Sequence, residues 1–490
     1  MTLCDKEAST SVPTLEEPVS SLPPPGDDDV HGLPPGGPWS PAYRLLTAGI
    51  LLTIGGTAFE ALAVATILPA TVEDLGGIGL YGWAFSAFML ATLIGISVAG
   101  GEADLQGPAH PFALGVGFFV AGLLIGGAAT SMAMLIAGRA VQGFGAGFIG
   151  SVAYVAVGRG LPPAAKPRML ALMSSAWVVP GLIGPALSGL VADHVGWRWV
   201  FLGLVPLMLV ATVLALPALR RISGGSATGR DRRRLARAIQ LAVGTGLFLA
   251  GLGGDNLLIA VPLVVAGAVL GWPALQHLMP AGTTRAAPGL PAAVATMGLL
   301  NLAFFGVDAF IPLALTAIRD RSASFASLAL TAATVAWTAG SWVQARYARR
   351  ISRRILVRTG LTLVAVGSVG IALVLAPSVP AVAAPVAWGI AGLGIGIAYS
   401  TISLVILETS PAGQEGVAAA GMQLANALGV ALGAGLGGVL VAALSTTEEP
   451  SRASLLTQDL LMVGVLAISI LITGRLPASA KPAEVPADVT

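Results

Sequence analysis

A chain of 490 residues that is 55% hydrophobic, only 10% charged and of mean hydropathy +0.85 excludes a soluble globular protein, because soluble domains carry about 25% charged residues and a water-facing surface cannot be built from this composition. The formal net charge of +2 gives no basic surface for nucleic acid. A single cysteine, Cys4, excludes an intrachain disulfide and a cysteine-built metal site, and the four histidines, His31, His110, His194 and His277, show no ligand spacing.

Residues 1–42 are rich in Pro, Ser, Asp and Glu, as in Pro23-Pro24-Pro25 and Asp27-Asp28-Asp29, and contain no apolar run. Such a segment cannot bury a core and is predicted to be a disordered tail. It lacks the basic start and short apolar stretch of a signal peptide, so the first apolar helix is expected to act as its own targeting signal.

A membrane helix requires about 20 mostly apolar residues. Fourteen such runs follow, near 43–69, 81–100, 112–129, 131–158, 168–192, 197–217, 237–253, 256–275, 291–316, 323–345, 355–376, 379–407, 414–444 and 455–474. The pattern predicts an all-α integral membrane protein. The seventh and eighth runs are the weakest: Asp255-Asn256 between them reads as a tight turn or as the tip of a re-entrant hairpin. Losing that pair gives twelve spans.

The basic residues test the count through their sidedness. With both termini in the cytoplasm, twenty-one lysines and arginines fall on the cytoplasmic side, concentrated at Arg220–Arg237 and Arg346–Arg358. Only Arg198, Arg319, Arg321 and Arg452 fall on the other, and Arg139 lies within a helix. This bias supports an even number of spans.

An internal repeat organises the chain. Gly143-Phe144-Gly145-Ala146-Gly147 in the fourth span and Gly392-Leu393-Gly394-Ile395-Gly396 in the twelfth are offset by 249 residues. The Gly-rich stretches from Gly184 in the fifth span and from Gly433 in the thirteenth share that offset. Two six-helix bundles are therefore expected at 43–217 and 291–475, separated by a basic linker and two extra helices at 218–290 and followed by a tail at 476–490. Repeated halves are how many secondary transporters build a midplane substrate site.

Arg139-Ala140-Val141-Gln142-Gly143-Phe144-Gly145 resembles motif B of the major facilitator superfamily, and Pro180 to Gly189, with Gly181, Gly184 and Pro185, resembles its motif C. Trp197-Arg198-Trp199-Val200-Phe201 is also similar to the start of the family's sixth helix. With fourteen spans the resemblance is to the drug:proton antiporters carrying two extra central helices. It implies a major facilitator fold and a multi-pass protein of a bacterial cytoplasmic membrane, here with the Ala-, Gly- and Arg-rich composition of a high-GC, actinobacterial type. One motif departs from the pattern. After the second span, Asp104 and Gly107 match the family's gating loop, but Pro108 and Ala109 stand where basic residues belong. The run from Arg346 to Arg354 is its second-half counterpart or a plain positive-inside cluster.

Ionisable residues at helix centres are costly and default to functional hypotheses. Glu60, Arg139 and Asp308 are the three that stand out. Glu60 occupies the zone where the resemblance implies a proton-coupling acid, and Asp308 sits one residue short of its duplicate position, 309. Burial disfavours a carboxylate and an approaching arginine favours it. A carboxyl that alternates between Arg139 and water or substrate would therefore bind and release a proton; a fixed structural ion pair is the competing reading. Gln142, Tyr154, Asn301, Phe304, Phe305, Gln423 and Asn426 are candidate cavity residues, each also readable as packing.

The expected function is proton-driven antiport of lipophilic or cationic drug-like molecules by alternating access, performed by a monomer in contact with membrane lipid, with protons as the co-substrate and no cofactor beyond their gradient. The alternative of the same fold is an importer or symporter, or an exporter of a specific metabolite or lipid. An integral-membrane enzyme would require a polar loop with paired acids or a metal site, which the short outer loops lack. A nucleotide-driven pump would require a Gly-x-x-x-x-Gly-Lys-[Ser/Thr] loop, which does not occur.

Overall fold

The computed structural model describes residues 36–162, 165–222, 232–254, 256–348, 350–410, 415–445 and 450–477. Residues 1–35 of the expected disordered tail at 1–42 fall outside the described residues, as do Asp255 and most of the tail at 476–490, whereas 36–42 form turns tied down by Thr47 Oγ1 donating to Pro38 O at 2.7 Å. All regular elements among the described residues are helical. The first half comprises α1 (Arg44–Leu75), α2 (Tyr81–Gln106), α3 (Ala109–Gly127), α4 (Met132–Gly160), α5 (Lys166–Ser175), α6 (Val178–His194), α7 (Arg198–Leu202) and α8 (Leu204–Leu219). The extra pair is α9 (Arg232–Leu252) and α10 (Leu257–Leu278). The second half comprises α11 (Leu290–Asp308), α12 (Ile311–Leu313), α13 (Ala323–Tyr347), α14 (Arg353–Val374), α15 (Ala383–Glu408), α16 (Glu415–Leu444) and α17 (Arg452–Ile472).

Thirteen helices among the described residues are long and apolar enough to cross a membrane. The fifth expected span, 168–192, is not one helix but two, α5 and α6, broken at Ala176-Trp177. Proline has no N–H to donate and its ring meets the carbonyl four residues back; for Pro180 that carbonyl is Ala176, where the helix breaks. The ninth span breaks for the same reason. Pro312 addresses the carbonyl of Asp308, α11 ends there, and the chain resumes as α12 and a π-turn over Ala314–Ile318. Counting α5 and α6 as one crossing, fourteen crossings return the chain to the side where it started; that side is the termini side below, and the opposite one the far side.

Glycines decide how the helices approach. Lipid gives no hydrophobic drive for association, so close van der Waals contact between small residues takes its place. In the first half, α4 lies between α2 and α3: a Cβ on Gly143 would overlap Phe88 of α2, and one on Gly145 would fall 2.5 Å from Phe119 N of α3. In the second half, α15 lies between α13 and α14 in the same way: a Cβ on Gly392 would overlap Ala333 of α13, and one on Gly394 would fall 2.8 Å from Val364 N of α14. The repeat offset of 249 is thus a repeat of packing.

The halves meet along two seams that the same repeat relates. On one, Gly189 of α6 lies against Ala323 O and Ser324 Cα of α13, both 3.0 Å from a Cβ built there, and a Cβ on Gly181 would overlap the Thr334 methyl. On the other, a Cβ built on Gly438 of α16 would fall 2.8 Å from Gly82 Cα of α2, and Ser86 of α2 donates to Ala431 O of α16 at 2.7 Å. Position 189 moved by the repeat offset is 438, so the fifth helix of each half rests on the second helix of the other.

The extra pair makes the seams unequal. α9 and α10 join through Gly244, Gly251 and Gly267, and α9 then covers the α2–α16 seam: Leu90 and Leu93 of α2, Ala242 of α9, and Ala427 and Ala431 of α16 form one buried cluster. The α6–α13 seam has no such cover among the described residues.

Candidate functional site

Glu60, Arg139 and Gln142 converge in the first half from α1 and α4. Motif B places Arg139 and Gln142 three residues apart, on one face of α4. The Arg139 Nη1 donates to Glu60 Oε1 and, at 2.7 Å, to Gln142 Oε1, while its Nε donates to Ala84 O of α2 at 3.0 Å. The guanidinium lies 4.2 Å from the centroid of Phe88. Glu60 is 1% exposed, Arg139 3% and Gln142 0%. Burying either charge alone costs several kcal/mol, so the pair is required by its surroundings. Its hydrogen bonding is incomplete: Glu60 Oε2 and Gln142 Nε2 are buried without a well-aligned partner among the described residues. A second proton acceptor and a second donor therefore stand ready beside a charge pair.

Asp308 occupies different company. Its Oδ1 accepts from the indole Nε1 of Trp388 of α15 at 2.7 Å, and no guanidinium reaches it among the described residues. Trp388 stacks on Phe304 with ring centroids 4.7 Å apart, and Trp337, Phe305 and Tyr399 extend the aromatic group. The break after Asp308 frees backbone carbonyls, which in a membrane must find donors. Gln458 of α17 donates to Gly306 O at 2.7 Å, and Tyr81 of α2 donates across the halves to Ala309 O at 2.9 Å. Tyr81 also lies 5.0 Å from the ring of Phe310. Each acid is thus held within its own half, and no hydrogen bond or ion pair joins them among the described residues.

The remaining candidates divide. Phe304 is buried and Phe305 half-buried, both in the aromatic group. Asn301 is buried; its amide donates to Met297 O in its own helix at 2.8 Å and its Oδ1 has no partner among the described residues. Tyr154 of α4 is 60% exposed on the termini side of its helix. Gln423 is exposed and Asn426 half-buried on α16. Gly181 and Gly189 belong to the α6–α13 seam, whereas Gly184 faces Phe59 of α1 inside the first half, and Pro185 is buried within α6.

Gly107 ends α2 with φ 81°, a left-handed turn that a Cβ would strain, and Asp104 lies in that last turn with its side chain outside the described residues. In the basic run between α13 and α14, Arg353 at the start of α14 forms a two-pronged contact with Glu408 at the end of α15, at 2.7 and 3.3 Å. The Trp197-Arg198 motif fastens the far side of the first half: Arg198 pairs with Asp74 at 2.6 Å and donates to Ala129 O at 3.1 Å, and Trp197 donates to Asp74 at 3.2 Å.

Sequence reasoning missed Trp388, Tyr399 and Tyr81. Trp388 lies 80 residues from Asp308 and shares no motif with it, so no signal in the sequence joined the two. Asp459 of α17 is also buried, at 3% exposure, next to Gln458.

Comparisons with known proteins agree with this architecture. Residues 46–433 match the Major Facilitator Superfamily. The chain is 27% identical over 424 residues, 81% of its length and 88% of the relative's, to a "Probable multidrug-efflux transporter" of Mycobacterium tuberculosis. It is 24% identical over 401 residues, 79% of its length and 73% of the relative's, to the multidrug transporter protein MdtP of Bacillus subtilis. Among solved structures, a POT-type peptide transporter superposes with TM-score 0.63 at 15% identity, covering 87% of this chain and 94% of that one. A bacterial homolog of the human lysosomal transporter Spinster, solved inward-facing and unoccupied, superposes with TM-score 0.60 at 12% identity, covering 89% and 98%. The chain belongs to the Major Facilitator Superfamily and is a multi-pass membrane transporter, not an enzyme.

Proposed function

We propose that this transporter is a proton-coupled exporter of lipophilic or cationic drug-like molecules in a bacterial cytoplasmic membrane. The observation that carries the coupling is the buried Glu60–Arg139–Gln142 cluster, in which one carboxylate oxygen has no well-aligned partner among the described residues. When the halves rock, a Glu60 carboxyl released from Arg139 can take a proton, and its return to the guanidinium expels it. Asp308 is a second acid in the same cycle, and the aromatic group around Trp337 and Phe305 supplies an apolar wall for cargo.

The named contacts between halves run from the middle to the far ends of α2, α6, α13 and α16, while Tyr154 stays exposed toward the termini side. This fits a state closed on the far side and open toward the termini. The arginine and lysine bias supports cytoplasmic termini. The similarity to multidrug-efflux transporters supports drug-like cargo. Since one chain supplies both halves, a monomer suffices, and the proton gradient takes the place of a cofactor.

The test is a proteoliposome assay with an imposed pH gradient and a panel of cationic, neutral and lipid substrates. Cargo movement should collapse when a protonophore dissipates the gradient. Cargo movement indifferent to the gradient would remove the coupling, and proton movement with no cargo of the panel would remove the drug-like substrate class.

A further inference from the structure

At the termini-side end of α17 a cavity of about 300 Å³ opens between the α10–α11 loop and the helix. Its floor is polar, formed by Thr284, Arg285, Ala286 and Arg475, and its wall is apolar, formed by Ile468, Leu471 and Ile472. Ile468, Leu471 and Ile472 share one face of α17, and Arg475 follows in the 3-10 turn Thr473–Arg475 that ends it, so the lining leads from guanidinium to aliphatic surface. Leu471 is 78% and Ile468 55% exposed.

The floor is built rather than draped. Arg475 donates from Nη1 to Arg285 O at 2.7 Å and to Ala286 O at 3.0 Å, and the Gly289 N–H donates back to Arg475 O at 3.1 Å. These bonds hold Ala286 at φ 46°, a left-handed conformation that alanine rarely adopts, between Gly282 at 87° and Gly289 at 88°. Strain of this kind persists where the surroundings over-determine it, often at ligand clamps. The Arg285 guanidinium has no hydrogen bond or ion pair among the described residues, and no carboxylate lines the cavity. Arg354 and Arg358 add charge at the same helix end, donating to Leu476 O and, at 3.4 Å, to Thr473 Oγ1.

We propose that this cavity binds an anionic phospholipid of the leaflet on the termini side. The phosphate sits between Arg285 and Arg475 within reach of the Thr284 hydroxyl, and an acyl chain runs along Ile472, Leu471 and Ile468. Basic pockets between membrane helices suit such headgroups. A free phosphate would use the floor alone; the continuous apolar wall is what selects the lipid. Once bound, the lipid neutralises the arginines and staples the loop after the extra pair to the last helix.

The test uses the full chain in nanodiscs of phosphatidylcholine with graded phosphatidylglycerol, counting by native mass spectrometry the lipids retained on transfer to mild detergent. Phosphatidylglycerol should be retained in preference to phosphatidylcholine. Arg285→Gln removes a guanidinium that holds nothing else and should lower that retention about fivefold, the effect of one basic residue near an anionic surface. Arg285→Lys should keep most of it, and Leu471→Gln should weaken it with the floor intact. Equal retention of the two lipids, or an Arg285→Gln variant indistinguishable from the parent, would overturn the site. Displacement of the lipid by millimolar inorganic phosphate or glycerol phosphate would reassign it to a soluble anion.

Discussion

Glu60 and Asp308 stand at nearly equivalent points of two repeated halves, and their surroundings differ in kind. Glu60 lies in an unbroken helix and is held by a buried arginine. Asp308 lies at a proline-induced break and is held by a neutral indole within an aromatic group. A charge pair ties protonation to the movement of another helix, because separating its members in a low dielectric is costly. An indole donor makes no such demand, since it bonds a carboxylate or a neutral amide alike. Duplication therefore supplied two like positions, and local chemistry made one of them the better candidate for coupling.

The largest effect is expected at Glu60. Glu60→Gln should reduce gradient-driven transport more than tenfold in proteoliposomes and, by leaving Arg139 buried and unpaired, lower stability by about 3–5 kcal/mol. Glu60→Gln with Arg139→Gln should regain much of that stability, read as the unfolding temperature in detergent, without regaining coupling. Recovery of driven transport in the double variant would mean that the pair is structural.

A smaller effect is expected at the seam glycines. Gly181→Val places a side chain against Thr334 and should hold the halves apart, reducing transport severalfold with little loss of folded protein. Site-directed cross-linking across the α6–α13 seam checks this, and unchanged cross-linking would show that the seam absorbs the bulk. On the other side of the comparison, Asp308→Asn keeps an oxygen for Trp388 and should reduce driven transport less than Glu60→Gln does, as initial rates in the same vesicles will show. Trp388→Phe removes the donor and should cost about 1–3 kcal/mol of stability, the desolvation of an unsatisfied group, so Trp388→Phe should unfold at lower temperature than Asp308→Asn. The smallest effect is at Gly107, where Gly107→Ala should cost about 1–2 kcal/mol for the left-handed turn and show as a modest fall in unfolding temperature.

The two seams give a second lesson. Gly189 and Gly438 occupy repeat positions, yet only the seam of Gly438 carries the cover of α9. An appended hairpin that makes contact with α2 and α16 together breaks the symmetry that duplication produced.

By itself the sequence determined the membrane class, the repeated halves and the family resemblance, because these rest on composition, period and glycine spacing, which are properties of the chain alone. It also placed Glu60 within the first span and Arg139 and Gln142 within the fourth. Tertiary structure decided which acid has an arginine, since helix rotation is set by neighbours and not by hydropathy. It alone joined Trp388 to Asp308 and Tyr81 to Ala309, residues 80 and 228 positions apart. The helix breaks lay between these extremes. Pro180 and Pro312 were readable as hazards, but whether a span kinks, breaks or absorbs the proline depends on which side chains arrive to bond the freed carbonyls, and that is settled only when the helices assemble.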